Sequence, residues 1–166
     1  MDKPNLLNVP IWSQHDPRWA NDRMGSSYVT IGQQGCLVTS TSSLLNYLGI
    51  DVNPKSYNHL LSTNYGYALP HNMYWKMPEI LWAGQVELAE YETFRYGIGW
   101  ESTVETILVD DRPALAEVKM DGMQHWVVII GKINGVFWIY DPWYGDTATL
   151  NSRYNNIFRI VSYRVK

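Results

Sequence analysis

Gln124-His125-Trp126-Val127-Val128-Ile129-Ile130-Gly131, followed by Val136-Phe137-Trp138-Ile139-Tyr140-Asp141, decides the fold. Both apolar runs are too short for a buried helix, and they are rich in β-branched and aromatic residues, which suit a pleated surface. They read as strands over His125–Ile130 and Val136–Tyr140, with Asn134-Gly135 as the turn signal between them. Working outward, Asp121-Gly122 joins a preceding strand, Ala114–Lys119. A short strand at Thr147–Leu150 and another at Ile157–Val165 follow. The sequence predicts that these strands form an antiparallel meander in chain order.

Upstream the periodicity changes. Leu37, Val38, Leu44, Leu45 and Leu48 recur at helical spacing, and Gly49 suits a left-handed C-terminal cap, so Cys36 opens a helix. Asn53-Pro54 caps a second, short helix to Leu61, because Asn accepts from orphan amides and Pro fits the first turn. Ser62–Trp75 reads as an aromatic loop, Pro78–Trp82 as a short helix, Val86–Tyr91 as a strand and Glu101–Val109 as a helix. Residues 1–30 read as an irregular arm with extended pieces around Val9–Ser13. The expected class is α+β in one domain over 1–166: the arm, a mainly helical part over 36–112 and a sheet over 113–166.

Composition narrows the function. The chain has 166 residues, 46% hydrophobic and 17% charged, as in an ordinary folded domain. A single cysteine excludes an internal disulfide and a cysteine zinc cluster. The net charge of −3, without a Lys/Arg cluster, gives no reason to expect nucleic acid. His15, His59 and His71 lack metal-ligand spacing, so neither metal nor cofactor is expected. No apolar span is long enough for a bilayer, and Met1-Asp2-Lys3-Pro4-Asn5 does not open a secretory signal. The expectation is synthesis in the cytoplasm without membrane insertion. Eight Trp and twelve Tyr are many for this length and serve equally in a core or a groove, and Tyr57, Tyr65, Tyr67, Tyr74 and Trp75 are candidates to wall one.

Four residues could carry chemistry, although each has an ordinary reading. A lone Cys is usually a core hydrophobe, a His at a strand edge usually satisfies a carbonyl, Asp-Pro makes turns, and a Gln ties loops. The balance changes when they are taken together. Cys36 at a helix N-terminus has amide dipoles favouring its thiolate, and a thiol nucleophile needs an imidazole such as His125 to exchange its proton. Asp141 can fix that ring's tautomer. Gln14 can stabilise an oxyanion with the Cys36 amide, Gln33 and Gln34 being competitors.

The hairpin tests this set. A strict two-residue loop would set Asp141 opposite Val128, facing away from His125. A three-residue loop, Ile133-Asn134-Gly135 with Gly135 in a left-handed bulge, sets Asp141 opposite Val127 on the face of His125. The triad therefore predicts the longer loop.

The segments Val9-Pro10-Ile11-Trp12-Ser13-Gln14-His15-Asp16-Pro17-Arg18-Trp19, Thr30-Ile31-Gly32-Gln33-Gln34-Gly35-Cys36, Arg112-Pro113-Ala114-Leu115-Ala116-Glu117-Val118, the run from Gln124 and Trp138–Gly145 occur in one order. That ordered set resembles the papain-like cysteine peptidases, in particular the bacteriocin-leader-processing peptidase family and its stand-alone relatives. Leu37 stands where the leader-processing branch usually has glycine, and the wide Gln14–Cys36 separation is similar to the stand-alone members. The resemblance implies a papain-like fold with a nucleophile helix on an antiparallel sheet. It implies Cys36, His125 and Asp141 as the triad and Gln14 as the oxyanion residue. The expected partner is a peptide or protein substrate, or a peptidoglycan stem peptide, and a silent peptide-binding module is the alternative.

Overall fold

The computed structural model describes residues 6–69 and 72–166; Met1–Asn5 of the arm and His71 lie outside them. Five helices are present: α1 (Ile31–Gln34), α2 (Cys36–Tyr47), α3 (Pro54–Thr63), α4 (Met77–Leu81) and α5 (Glu101–Val109). The strands are β1 (Tyr67–Leu69), β2 (Asn72–Met73), β3 (Val86–Thr93), β4 (Ala114–Met120), β5 (Met123–Ile133), β6 (Val136–Asp141), β7 (Asp146–Thr149) and β8 (Arg159–Val165). β1 and β2 pair inside the segment expected to be loop, and the others form one antiparallel sheet in the order β3-β8-β4-β5-β6-β7. The class is α+β. Among the described residues no helix is long and apolar enough to cross a membrane.

One expectation about the sheet is corrected. Only β4 to β7 form a meander. β8 crosses back to lie between β4 and β3, and the strand expected at Val86–Tyr91 is present as β3, at the sheet's edge. The reason is burial on both faces: Ile160, Val161, Ser162 and Tyr163 are all fully buried, which only an interior strand allows. Strand β3 carries polar residues at its open end and blunts the edge.

The core lies on the two faces of this sheet. On one, Trp126, Val128, Ile130 and Tyr140 pack with Leu37, Val38, Leu44 and Leu45 of α2. On the other, Val127, Ile129, Ile139 and Ile160 pack with Val104 and Ile107 of α5. Helix α2 carries its own apolar side chains together with Thr39, Ser40, Thr41, Ser42 and Ser43, all fully buried. These short side chains let the helix sit close to β5, where the Ser40 hydroxyl donates to the Trp126 carbonyl at 3.3 Å.

The β5–β6 turn differs from the expected one. Asn134 and Gly135 both have positive φ, +50° and +79°, and Ile133 pairs with Val136, so this is a two-residue loop. Both residue types tolerate that region, which removes the need for a third loop residue. The face change comes instead from a β-bulge between Ile129 and Gly131, beyond which Val128 pairs with Tyr140. The next position places Asp141 opposite Val127, on the same face as His125. Ile130, the extra residue, uses its carbonyl to accept from the Leu7 amide at 2.8 Å.

Candidate active site

Cys36 begins α2 because Gly35 precedes it. A Cβ on Gly35 would meet the Ile31 carbonyl oxygen at 2.5 Å, so only glycine lets α1 turn directly into α2. The preceding helix has its own start, a capping box in which Thr30 and Gln33 bond each other's backbone amides. The turn leaves the Cys36 side chain partly exposed at the N-terminal end of a 12-residue helix.

His125 and Asp141 come from the hairpin. His125 Nε2 lies 2.9 Å from Asp141 Oδ1, with the two residues 2% and 0% exposed. The carboxylate can only accept, so Nε2 carries a proton and the other ring nitrogen is left for the nearby Cys36 sulfur. Burial alone would push the imidazolium's pKa down. The bond to Asp141 and the nearby Cys36 sulfur more than offset this and raise it from 6.5 to about 9. Asp141 is held the other way. Burial opposes its charge, but the His125 bond, the Tyr154 hydroxyl and the Trp143 amide together keep its pKa below the usual carboxylate value.

Those partners saturate the carboxylate. Oδ1 also accepts from the Trp143 amide at 3.1 Å, and Oδ2 from the Tyr154 hydroxyl at 2.6 Å and Arg153 Nη1 at 3.4 Å. Sequence reasoning passed over Tyr154 and Arg153, since they follow an irregular turn and carry no periodic or spacing signal.

Gln14 reaches the site on the arm, which is fastened along its length. The Ser43 hydroxyl donates to the Pro10 carbonyl, the Tyr140 hydroxyl to the Trp12 carbonyl, and the Gln14 amide to the Pro142 carbonyl at 2.9 Å. The Gln14 side chain is 1% exposed. Its Nε2 donates over long distances, 3.4 and 3.3 Å, to the carbonyls of Ile31 and Gly32, and its Oε1 has no partner. Of its competitors, Gln33 is engaged in the capping box, and Gln33 and Gln34 both border the cleft as exposed groups.

Gln14, Cys36 and His125 open on one cleft of about 490 Å³, bordered by Met120, Met123, Trp126 and Trp143, and Asp141 is fully buried behind the imidazole. None of the five candidate wall aromatics borders this cleft: Tyr57 and Tyr67 turn inward to bond Met73 and Asn58, and Trp75 packs on Trp126. Among the described residues no three His, Cys, Asp or Glu side chains gather as a metal-binding group.

The model of the Peptidase_C39 like family matches residues 6–164, nearly the whole described length. The chain belongs to the Peptidase_C39 like family. This places it among the papain-like cysteine peptidases, and membership suggests a cysteine peptidase acting on a peptide or protein. The crystal structure of a candidate C39-like peptidase from Bacillus anthracis is similar in fold, with a TM-score of 0.60 and 17% identity, covering 99% of this chain and 100% of that one. A search of curated proteins gives no match.

Proposed function

We infer that this C39-like protein hydrolyses a peptide or amide bond through Cys36, His125 and Asp141, with Gln14 at the oxyanion. The observation that carries this reading is that Cys36 and His125 border one cleft, the sulfur near enough to act on the imidazole's charge, with Asp141 bonded to the ring at 2.9 Å behind it. With His125 as imidazolium, a positive charge stands beside the sulfur and favours the thiolate. The thiolate attacks the substrate carbonyl carbon, and the carbonyl electron pair moves to oxygen. Gln14 Nε2 and the Cys36 backbone N–H are the donors for that oxyanion, and the long bonds of Gln14 to Ile31 and Gly32 are weak enough to exchange. His125 gives its proton to the departing amine, leaving a thioester. The neutral ring then takes a proton from water, whose oxygen attacks the thioester, and the acid leaves as the thiolate and imidazolium return. Asp141 keeps the ring in one orientation throughout.

Candidate peptides and peptidoglycan incubated with the protein and read by mass spectrometry test the reading. New peptide or amide termini are expected with the wild type and not with Cys36→Ala or His125→Ala, while both variants keep a cooperative unfolding transition. Products of either variant at the wild-type rate would refute it, as would a wild-type thiol alkylated by iodoacetamide no faster than in the unfolded chain.

A further inference from the structure

Tyr154 is 5% exposed and sits just past the 3₁₀ turn Leu150–Ser152, where its amide donates to the Leu150 carbonyl at 2.9 Å. Its hydroxyl is 2.6 Å from Asp141 Oδ2, a short charge-assisted bond, and its ring centre lies 5.9 Å from that of His125, tilted by 44°. One side chain therefore meets both partners of the His125–Asp141 bond. We propose that Tyr154 is a positioning residue: its hydroxyl fixes the carboxylate oxygen that His125 does not use, and its ring closes the imidazole–carboxylate bond off from water.

The neighbours show why nothing else does this. Oδ1 is already shared by His125 and the Trp143 amide, and the short bond that holds the other oxygen, Oδ2, comes from Tyr154. The other donor there, Arg153, is at 3.4 Å and cannot close in. Two bonds of 2.7 Å bind its guanidinium to Asp146, and it stacks on the Tyr144 ring at 4.1 Å. Without the hydroxyl, Oδ2 would be left fully buried with one poor donor. The carboxylate would lose its fixed angle, and its charge would bear more heavily on His125.

This inference rests on the hydrolase reading for its consequence in catalysis but not for its physical effect. Tyr154→Phe keeps the ring and removes the donor. The expected result is a kcat about tenfold lower with KM little changed, the value of one hydrogen bond to a charged group. The His125 titration, followed by NMR on histidine-labelled protein, is expected to move up by about half a pH unit, because an unshared carboxylate holds the imidazolium proton more tightly. A residue that merely supports the fold would lower the melting temperature and leave that titration unmoved. An unchanged His125 titration in Tyr154→Phe overturns the proposal whether or not turnover falls. A shifted titration in a protein whose wild type hydrolyses nothing upholds the positioning role and overturns the hydrolase reading instead. If Tyr154→Phe does not fold, 3-fluorotyrosine placed at position 154 alone, a stronger donor, is expected to move the titration down, and no movement overturns the proposal.

Discussion

The two walls of the cleft are built to different tolerances. On the hairpin wall, Asp141 is fully buried and accepts from four donors, two of them at 2.9 Å or less, one of these being His125. On the arm wall, Gln14 is as deeply buried but donates only at 3.3 and 3.4 Å and keeps an unpartnered oxygen, and the Cys36 side chain is partly exposed. The difference follows the proposed chemistry. Proton exchange needs one unchanging geometry, whereas the groups that meet the substrate must give up a resting contact and take a new one.

Substitutions on the two walls should therefore fail differently. Asp141→Ala leaves the Tyr154 hydroxyl and a charged His125 buried without their acceptor, and about 3–5 kcal/mol of stability is expected to go with turnover. Chemical denaturation measures this, and a loss under about 1 kcal/mol would mean that the hairpin wall is no more rigid than the other. Gln14→Ala should do the reverse: kcat falls about 10²-fold, as for other oxyanion donors, with a much smaller stability change because only long bonds are lost. Steady-state kinetics beside a melting curve decides it, and a melting point that falls as far as that of Asp141→Ala would erase the contrast.

A smaller effect comes from pH. The pKa of His125 is raised from 6.5 to about 9 in the folded protein, so its contribution is fully present below about pH 6.5 and fades as pH rises through about 9. The expected loss across that window is roughly 3–4 kcal/mol at most, since each pH unit between the unfolded and folded values is worth about 1.4 kcal/mol, and His125→Gln should flatten it. Asp141 works at the other end: its pKa is lowered, so its contribution holds above about pH 4 and fades as pH falls further. Unfolding free energies from pH 6 to 10 check the first window. The smallest change expected is Gly135→Ala, at about 1 kcal/mol. The φ of +79° disfavours a Cβ that would otherwise meet nothing within 4 Å. Kinetic constants should hold, since the bulge near Ile130 and not the turn sets which way Asp141 faces.

Much of this arrangement is readable in the chain, for identifiable reasons. The α2 start is legible because Gly-Cys is followed by helical apolar spacing, and the hairpin because two β-rich runs flank Asn134-Gly135. What escaped depends on distant partners. The bulge is associated with a bond from Leu7, more than a hundred residues away, and β8 is interior only because β3 covers its far side. Tyr154 is one tyrosine among twelve, and nothing local marks it as the one that finds Asp141. The hairpin prediction had the right face for Asp141 by the wrong loop, because burying both side chains together constrains parity and leaves open where the odd residue goes.

The fastening of Gln14 to Pro142, with β8 seated in the middle of the sheet, has a consequence for timing during synthesis. The cysteine helix leaves the ribosome early, but neither its imidazole partner nor the strand that completes the sheet exists until much of the remaining chain has been translated. A nascent chain thus carries the proposed nucleophile unassembled past its own emerging polypeptide and the translation machinery, and the cleft is complete only after residues 159–165 take their place in the sheet.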